Sequence, residues 1–190
     1  MFPLTACMEG STLSAPIHAT EYEPEPKKHL QNHMIRMIAA CARNRVMGAG
    51  GTLPWQIQED WEYFLESTKG GALLMGRRCY EDFTDYVQDR EVVVLSRDPS
   101  REFPYAHRAG NLQDGLDLAA SLAPDTWICG GEGIYREAMP LAEELYLTQI
   151  DQEYEGDVCF PKWEKVFNRE ISRKEMNSKV PKLTFLVLGK

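Results

Sequence analysis

The chain has 190 residues, 43% of them hydrophobic, and a formal net charge of −8; this suits one globular domain with a sizeable core and argues against a nucleic-acid or membrane-surface protein, which would show a basic patch. No run approaches the ~20 apolar residues of a membrane span, and residues 1–7 lack the basic and long apolar segments of a secretory signal, so a cytoplasmic location is expected. Cys7, Cys41, Cys79, Cys129 and Cys159 are scattered without a Cys-x-x-Cys pair and read as reduced thiols, while His18, His29, His33 and His107 form no ligand-spaced cluster, so no metal is expected.

In chain order, residues 1–33 stand apart. The run from Glu21 to Lys28 is charged and broken by prolines, so this segment is expected to be disordered or loosely attached; a second reading starts translation at Met34. From residue 35 onward strands and helices alternate. Residues 35–42 read as a buried strand, and 44–52 as a glycine-rich loop with Gly48, Gly50 and Gly51. A helix is predicted over 59–68, where Trp61, Phe64, Leu65 and Thr68 make a stripe and Glu59 and Asp60 suit the first turn. Gly70-Gly71 stops it. A strand over 72–75, Gly76 and a short helix over 78–83 follow. Val92 to Leu95 has the continuous apolar run of a central parallel strand.

Asn111 is placed to cap a helix over 112–122. A strand over 127–129 leads through Gly130-Gly131-Glu132-Gly133 into a helix that Pro140 follows. Strands are predicted over 145–149, 166–172 and 183–188, the last two forming an antiparallel hairpin because no helix separates them. The expected fold is a single α/β domain over 34–190. It has a central, mostly parallel mixed sheet, an antiparallel C-terminal hairpin and helices on both faces.

Four constellations carry chemistry. Asp60, Phe64 and Thr68 share one helix face behind Leu53-Pro54-Trp55. A carboxylate among apolar groups is costly to bury without a partner, which a cationic or amidine-like ligand edge would supply; taken alone, an exposed acid favoured by the helix dipole is the commoner case. Gly130-Gly131-Glu132-Gly133-Ile134-Tyr135 lies where a strand ends and a helix begins, a place where backbone N–H groups meet phosphate, although a tight structural turn explains the glycines as well. The pattern is not Gly-x-Gly-x-x-Gly. Gly76-Arg77-Arg78 and Ser96-Arg97 both follow apolar strands, and ligands of open α/β sheets bind beyond strand carboxyl ends. Paired arginines there would hold a phosphate, though a single arginine is usually just solvated. Arg90, isolated before Val92, could receive a carboxylate, though alone it carries little weight.

As an ordered set these residues resemble dihydrofolate reductase. The resemblance runs from Met34 to Lys190. It takes in Ile38-Ala39-Ala40, Leu53-Pro54-Trp55 with Asp60 and Phe64, Met75-Gly76-Arg77, Val94 to Arg97, Gly130-Gly131 with Tyr135, Leu147 to Asp151, and Glu155 to Pro161. It implies NADPH as hydride donor and dihydrofolate as substrate, in a monomer. Asp60 falls at the pocket carboxylate that bonds the pterin's ring N–H and 2-amino group, Thr148 at the threonine supporting it, and Trp55 where the family holds a water. Ile38, Ala40, Trp61, Phe64, Phe83, Val87, Cys129 and Tyr135 would line the substrate pocket, and Arg90 would take the α-carboxylate of the substrate tail. Gly130, Gly131, Glu132, Gly133, Ile134 and Tyr135 match the pyrophosphate and nicotinamide side, where the family joins two glycines by a cis peptide. Arg77, Arg78, Ser96 and Arg97 match the 2′-phosphate region, with Gly76, Cys79 and Gly110 beside it. Ala40, Met47, Gly48, Gly51 and Thr52 would meet nicotinamide, the loop over 46–53 serving as a lid contacted near Asp157. Glu132, Cys129, Trp61 and Asp85 depart from the family's usual residues. The alternatives are a pyrimidine reductase of riboflavin biosynthesis, which shares fold and cofactor, and a non-catalytic nucleotide-binding relative; Asp60 weighs against the second.

Overall fold

Aliphatic runs buried on both sides form the middle of the sheet. In the computed structural model, which describes residues 33–83, 89–176 and 181–190, the strands in chain order begin with β1 (Met34–Ala42), β2 (Val46–Gly48), β3 (Ala72–Gly76), β4 (Val92–Leu95) and β5 (His107–Ala109). They continue with β6 (Asp125–Gly130), β7 (Glu144–Ile150), β8 (Val158–Cys159), β9 (Arg169–Met176) and β10 (Leu183–Gly189). The helices are α1 (Gln58–Ser67), α2 (Arg77–Phe83), α3 (Leu112–Leu122) and α4 (Glu132–Ala138). The segment 1–32 and the residues Asp85 and Val87 lie outside the described residues.

Eight strands make one sheet in the order β5-β4-β3-β6-β1-β7-β10-β9, and β2 pairs with β8 beside it. Every pairing from β5 to β7 is parallel. Only β10 runs against its neighbours, antiparallel to both β7 and β9. The expected C-terminal hairpin is therefore present, but it enters the sheet through β10 and leaves β9 at the edge.

The strand expected over 166–172 is displaced to Arg169–Met176. Val166 and Phe167 instead close a turn, both N–H groups donating to Trp163 O at 2.9 and 2.8 Å, and Phe167 is sunk in the core. The apolar pair thus marks a core anchor, while the strand beyond it is almost wholly exposed. Its charged residues blunt an open sheet edge, so it carries no hydrophobic alternation to read.

Two apolar layers sandwich the sheet. One holds Met37, Leu74, Leu145 and Leu147 with Leu112, Leu116 and Ala119 of α3. The other holds Ile38, Leu73, Val94 and Trp127 with Tyr80 of α2. α3 starts as expected: Asn111 Oδ1 accepts from Asp114 N at 2.9 Å, satisfying one of the free N–H groups of the first turn. The helix lies so close to the sheet that a Cβ on Gly115 would stand 2.6 Å from Leu95 Cδ2.

Candidate active site

A cavity of about 1120 Å³ opens at the carboxyl ends of the central strands, between α1, α2 and α4, where ligands of open α/β sheets bind. Its wall gathers Ile38 and Ala40 from β1, Thr148 from β7 and Cys129 from β6. The loop over 46–53 contributes Met47, Gly48, Gly51 and Thr52. From the turn before α1 and from α1 itself come Trp55, Asp60, Trp61 and Phe64; α2 adds Arg78, Cys79 and Phe83. Gly131, Glu132, Gly133 and Tyr135 complete it. Ile38, Cys129 and Thr148, distant in sequence, thus meet because parallel strands all end on one side.

Asp60 sits in the first turn of α1 and faces this cavity. Burial raises its carboxyl pKa above the ordinary value; hydrogen bonding from Thr148 and, less strongly, Trp55 acts in the opposite direction. Desolvation is the larger effect, since charge is disfavoured where water is excluded. Thr148 is 1% exposed and Trp55 7%. The Trp55 contact is loose: its indole N–H is buried without a partner at full hydrogen-bond geometry. A buried donor left in this state favours a polar ligand or bridging group beside it. Trp61, Phe64 and Phe83 cluster at the mouth, with ring centroids 5.3 to 5.5 Å apart, a surface suited to a flat aromatic ligand.

The back wall is set by Tyr135, whose buried Oη donates to Ile38 O at 2.6 Å. The Gly130–Gly131 peptide is cis. Gly130 has φ +113 and a Cβ there would stand 3.0 Å from the Tyr135 ring, so glycine alone fits. At Gly131 and Gly133 an added Cβ would meet nothing within 4 Å. Both line the cavity, so bare backbone faces open space that a pyrophosphate could occupy. These residues fit a dinucleotide on that side.

The segment 46–53 forms a short paired loop. Ala49 N donates to Thr52 O at 2.9 Å, and Gly50 and Gly51 take positive φ. Asp157 props it: Gly50 N donates to Asp157 Oδ1 at 3.1 Å, and Asp157 N to Gly48 O at 3.1 Å.

Other expected residues stand beside the cavity instead of on its wall. Gly130 and Ile134 lie behind it, and Ile134 Cδ1 fills the space a Gly76 side chain would need. Arg77 turns to Glu81. Arg90 donates to Thr68 Oγ1 at 3.1 Å and to Leu65 O at 2.8 Å, which fixes it at the end of α1. Ser96, Arg97 and Gly110 follow β4 and β5 outside the wall. Val87 lies outside the described residues. The wall also includes Gln56, Gln58, Tyr63, Asp82 and Val158, which were not expected. Asp82 had a signal as the neighbour of Phe83, and Tyr63 as the residue three along the helix from Asp60; the others arise from how the α1 entry turn and β8 fold back.

The dihydrofolate reductase family model matches residues 34–189. A dihydrofolate reductase of Neisseria gonorrhoeae is 38% identical over 160 residues, covering 82% of this chain and 98% of that protein. That of Bacillus subtilis is 32% identical over 149 residues, covering 76% of this chain and 88% of its own length. In structure, a dihydrofolate reductase from Enterococcus faecalis complexed with NADP(H) and RAB-propyl superposes with a TM-score of 0.76 at 24% identity, over 82% of this chain and 95% of that one. The chain belongs to the dihydrofolate reductase family, a family of NADPH-dependent oxidoreductases.

Proposed function

We propose that this protein reduces 7,8-dihydrofolate to 5,6,7,8-tetrahydrofolate, and that Asp60 holds the pterin and assists protonation at N5. The observation that carries the reading is one carboxyl, Asp60, set in the cavity beside Thr148 and Trp55 with its pKa raised by burial. A pterin's ring N–H and 2-amino group offer that carboxyl two donors side by side, which repays its desolvation. Thr148 orients the carboxyl from β7. The aromatic trio at the mouth packs the aminobenzoyl portion, and Arg90, already fixed by two hydrogen bonds to α1, receives the α-carboxylate of the tail.

NADPH, when bound, supplies the hydride that goes to C6 of the pterin. Gly131 and Gly133 give its pyrophosphate room against the backbone, and Tyr135 and Ala40 border the nicotinamide side. Arg77, Arg78, Ser96 and Arg97 face its adenosine 2′-phosphate. The lid covers the reacting ends and keeps water out, with Asp157 holding it closed. Protonation at N5 makes the C=N bond a better hydride acceptor. Asp60 favours the protonated ring by its negative charge once the pterin's donors have drawn the carboxyl's pKa back down.

The test is to follow NADPH oxidation with dihydrofolate, using the pyrimidine intermediate of riboflavin biosynthesis as a parallel substrate. Turnover of dihydrofolate alone is expected. Turnover of the pyrimidine alone would overturn the substrate assignment while leaving cofactor and fold intact. Binding of NADPH without turnover of either would make this chain a non-catalytic relative.

A further inference from the structure

Just outside the cavity wall, beyond the end of β3, three charged side chains converge. Glu81 lies one turn along α2 from Arg77, and its two carboxylate oxygens accept from Arg77 Nη1 at 3.0 and 2.9 Å. Glu81 Oε1 also accepts from Arg101 Nη2 at 2.7 Å. Arg101 comes from the loop after β4, and its position is shaped by that loop. Asp98 Oδ1 accepts from Ser100 N at 3.0 Å and from Ser100 Oγ at 2.7 Å. These bonds hold the Asp98 carboxyl below its usual pKa, so it stays charged and the turn stays formed near neutral pH. Arg101 N then donates to Asp98 O at 3.4 Å. The Arg101 guanidinium lies 6.0 Å over the Phe103 ring, and Phe103 packs edge-on against Tyr80 of α2 at 5.4 Å.

Two guanidiniums bonded to one carboxylate can both reach one other anion placed there. Glu81 offers a single charge. A phosphate monoester carries about −1.5 to −2 at pH 7 and three acceptor oxygens, so it is the stronger partner for the pair. Surface ion pairs contribute little net stability, so Glu81 is readily exchanged. The cluster stands at the carboxyl ends of β3 and β4, where the chain presents Arg77 and Ser96-Arg97.

We propose that Arg101 is a second phosphate-binding residue beside Arg77, and that Glu81 is the resident anion the cofactor's 2′-phosphate displaces, so that the two arginines favour NADPH over NADH and Glu81 limits how strongly. This rests on the reading that Arg77 faces the 2′-phosphate. NADH has no group to exchange with Glu81 and leaves the three-way cluster intact. NADPH must break the Glu81 contacts, and its net gain is the difference between the two anions. Removing the Glu81 charge therefore tightens NADPH and leaves NADH alone.

The test measures dissociation constants of NADPH and NADH by quenching of tryptophan fluorescence, for the unaltered protein and for Glu81→Gln, Arg101→Ala, Arg101→Lys and Arg77→Ala. Glu81→Gln is expected to tighten NADPH roughly three- to tenfold at low salt, the scale of one partly screened charge, and the gain shrinks as salt rises. Arg101→Ala is expected to weaken NADPH by a similar factor, with partial recovery in Arg101→Lys, and neither to move NADH. Unchanged or weaker NADPH binding in Glu81→Gln would overturn the displacement. Equal weakening of both dinucleotides by Arg101→Ala would make Arg101 structural. If Arg77→Ala fails to separate NADPH from NADH, the underlying reading falls and the proposal with it; if Arg77→Ala separates them but the other variants do not, the proposal alone falls. These side chains are exposed, so melting temperatures close to that of the unaltered protein are expected as the folding control.

Discussion

The cavity floor around Asp60 and the arginine rim beyond β3 both hold charge, in opposite ways. At the floor the Asp60 carboxyl is strongly desolvated, with Thr148 and Trp55 its hydrogen-bonding neighbours. At the rim a half-exposed Glu81 is shared by two half-exposed guanidiniums. Water screens the rim, so each change there costs little. The floor has no such cushion, so the same change in charge alters binding, protonation and stability together. On the proposed reading, the difference suits the floor acid to recognising the reacting ring and the rim cluster to grading one cofactor against another.

The sharpest way to break this contrast is Asp60→Asn. Turnover of dihydrofolate is expected to fall about 10²–10⁴-fold at neutral pH, the scale of a lost acid–base group. The deficit should narrow at lower pH, where solution supplies the proton. Steady-state rates across pH 5 to 8 check both parts. Arg90→Leu comes next, because Arg90 is partly buried and already bonded to Thr68 and Leu65. It should weaken dihydrofolate by about 1.5–3 kcal/mol, as for hydrogen bonds to charged groups, and leave a tail-less pterin unaffected; equal losses for both would assign Arg90 to holding α1 instead. Gly130→Ala is expected to cost roughly 1–3 kcal/mol of stability, from positive φ and the approach to Tyr135, read by denaturant titration.

The smallest expected effect concerns Asp60 and stability. Its folded pKa is raised, so the folded state resists the charged form. Its contribution is intact below the unfolded pKa and is lost as pH rises through the folded value. Asparagine has no such loss. Asp60→Asn should therefore melt higher than the unaltered protein at neutral pH, and the gap should close on acidification. A gap that widened toward low pH would contradict the raised pKa.

Much of this was legible from residue types. The all-apolar β4 run, the Asn111 cap and the Gly130-Gly131 turn each mark a local requirement that holds regardless of tertiary context. Asp60 taken alone reads more readily as an exposed acid of a first helical turn; the ordered set of motifs from Ile38 to Pro161 is what singles it out. What escaped was set at long range. β9 is polar because it is an edge strand. β2 and β8 are too short to carry a pattern; they pair where Asp157 bonds Gly48 and Gly50 and where Gly156 lets the two chains approach. Gln56 and Gln58 reach the cavity through the path of the turn into α1. The tie of Arg77 to Glu81 is helical spacing and could have been read; the approach of Arg101 depends on a loop closing onto α2.

The account turns on Asp60 being a desolvated carboxyl that a pterin converts into an ion-pair partner. The direct measurement is a titration of that carboxyl by infrared difference spectroscopy, unaltered protein minus Asp60→Asn, with and without bound dihydrofolate. The account predicts a group that titrates above the ordinary aspartate range in the free protein and moves down when the pterin binds. A group that titrates at the ordinary value and ignores the ligand would contradict it.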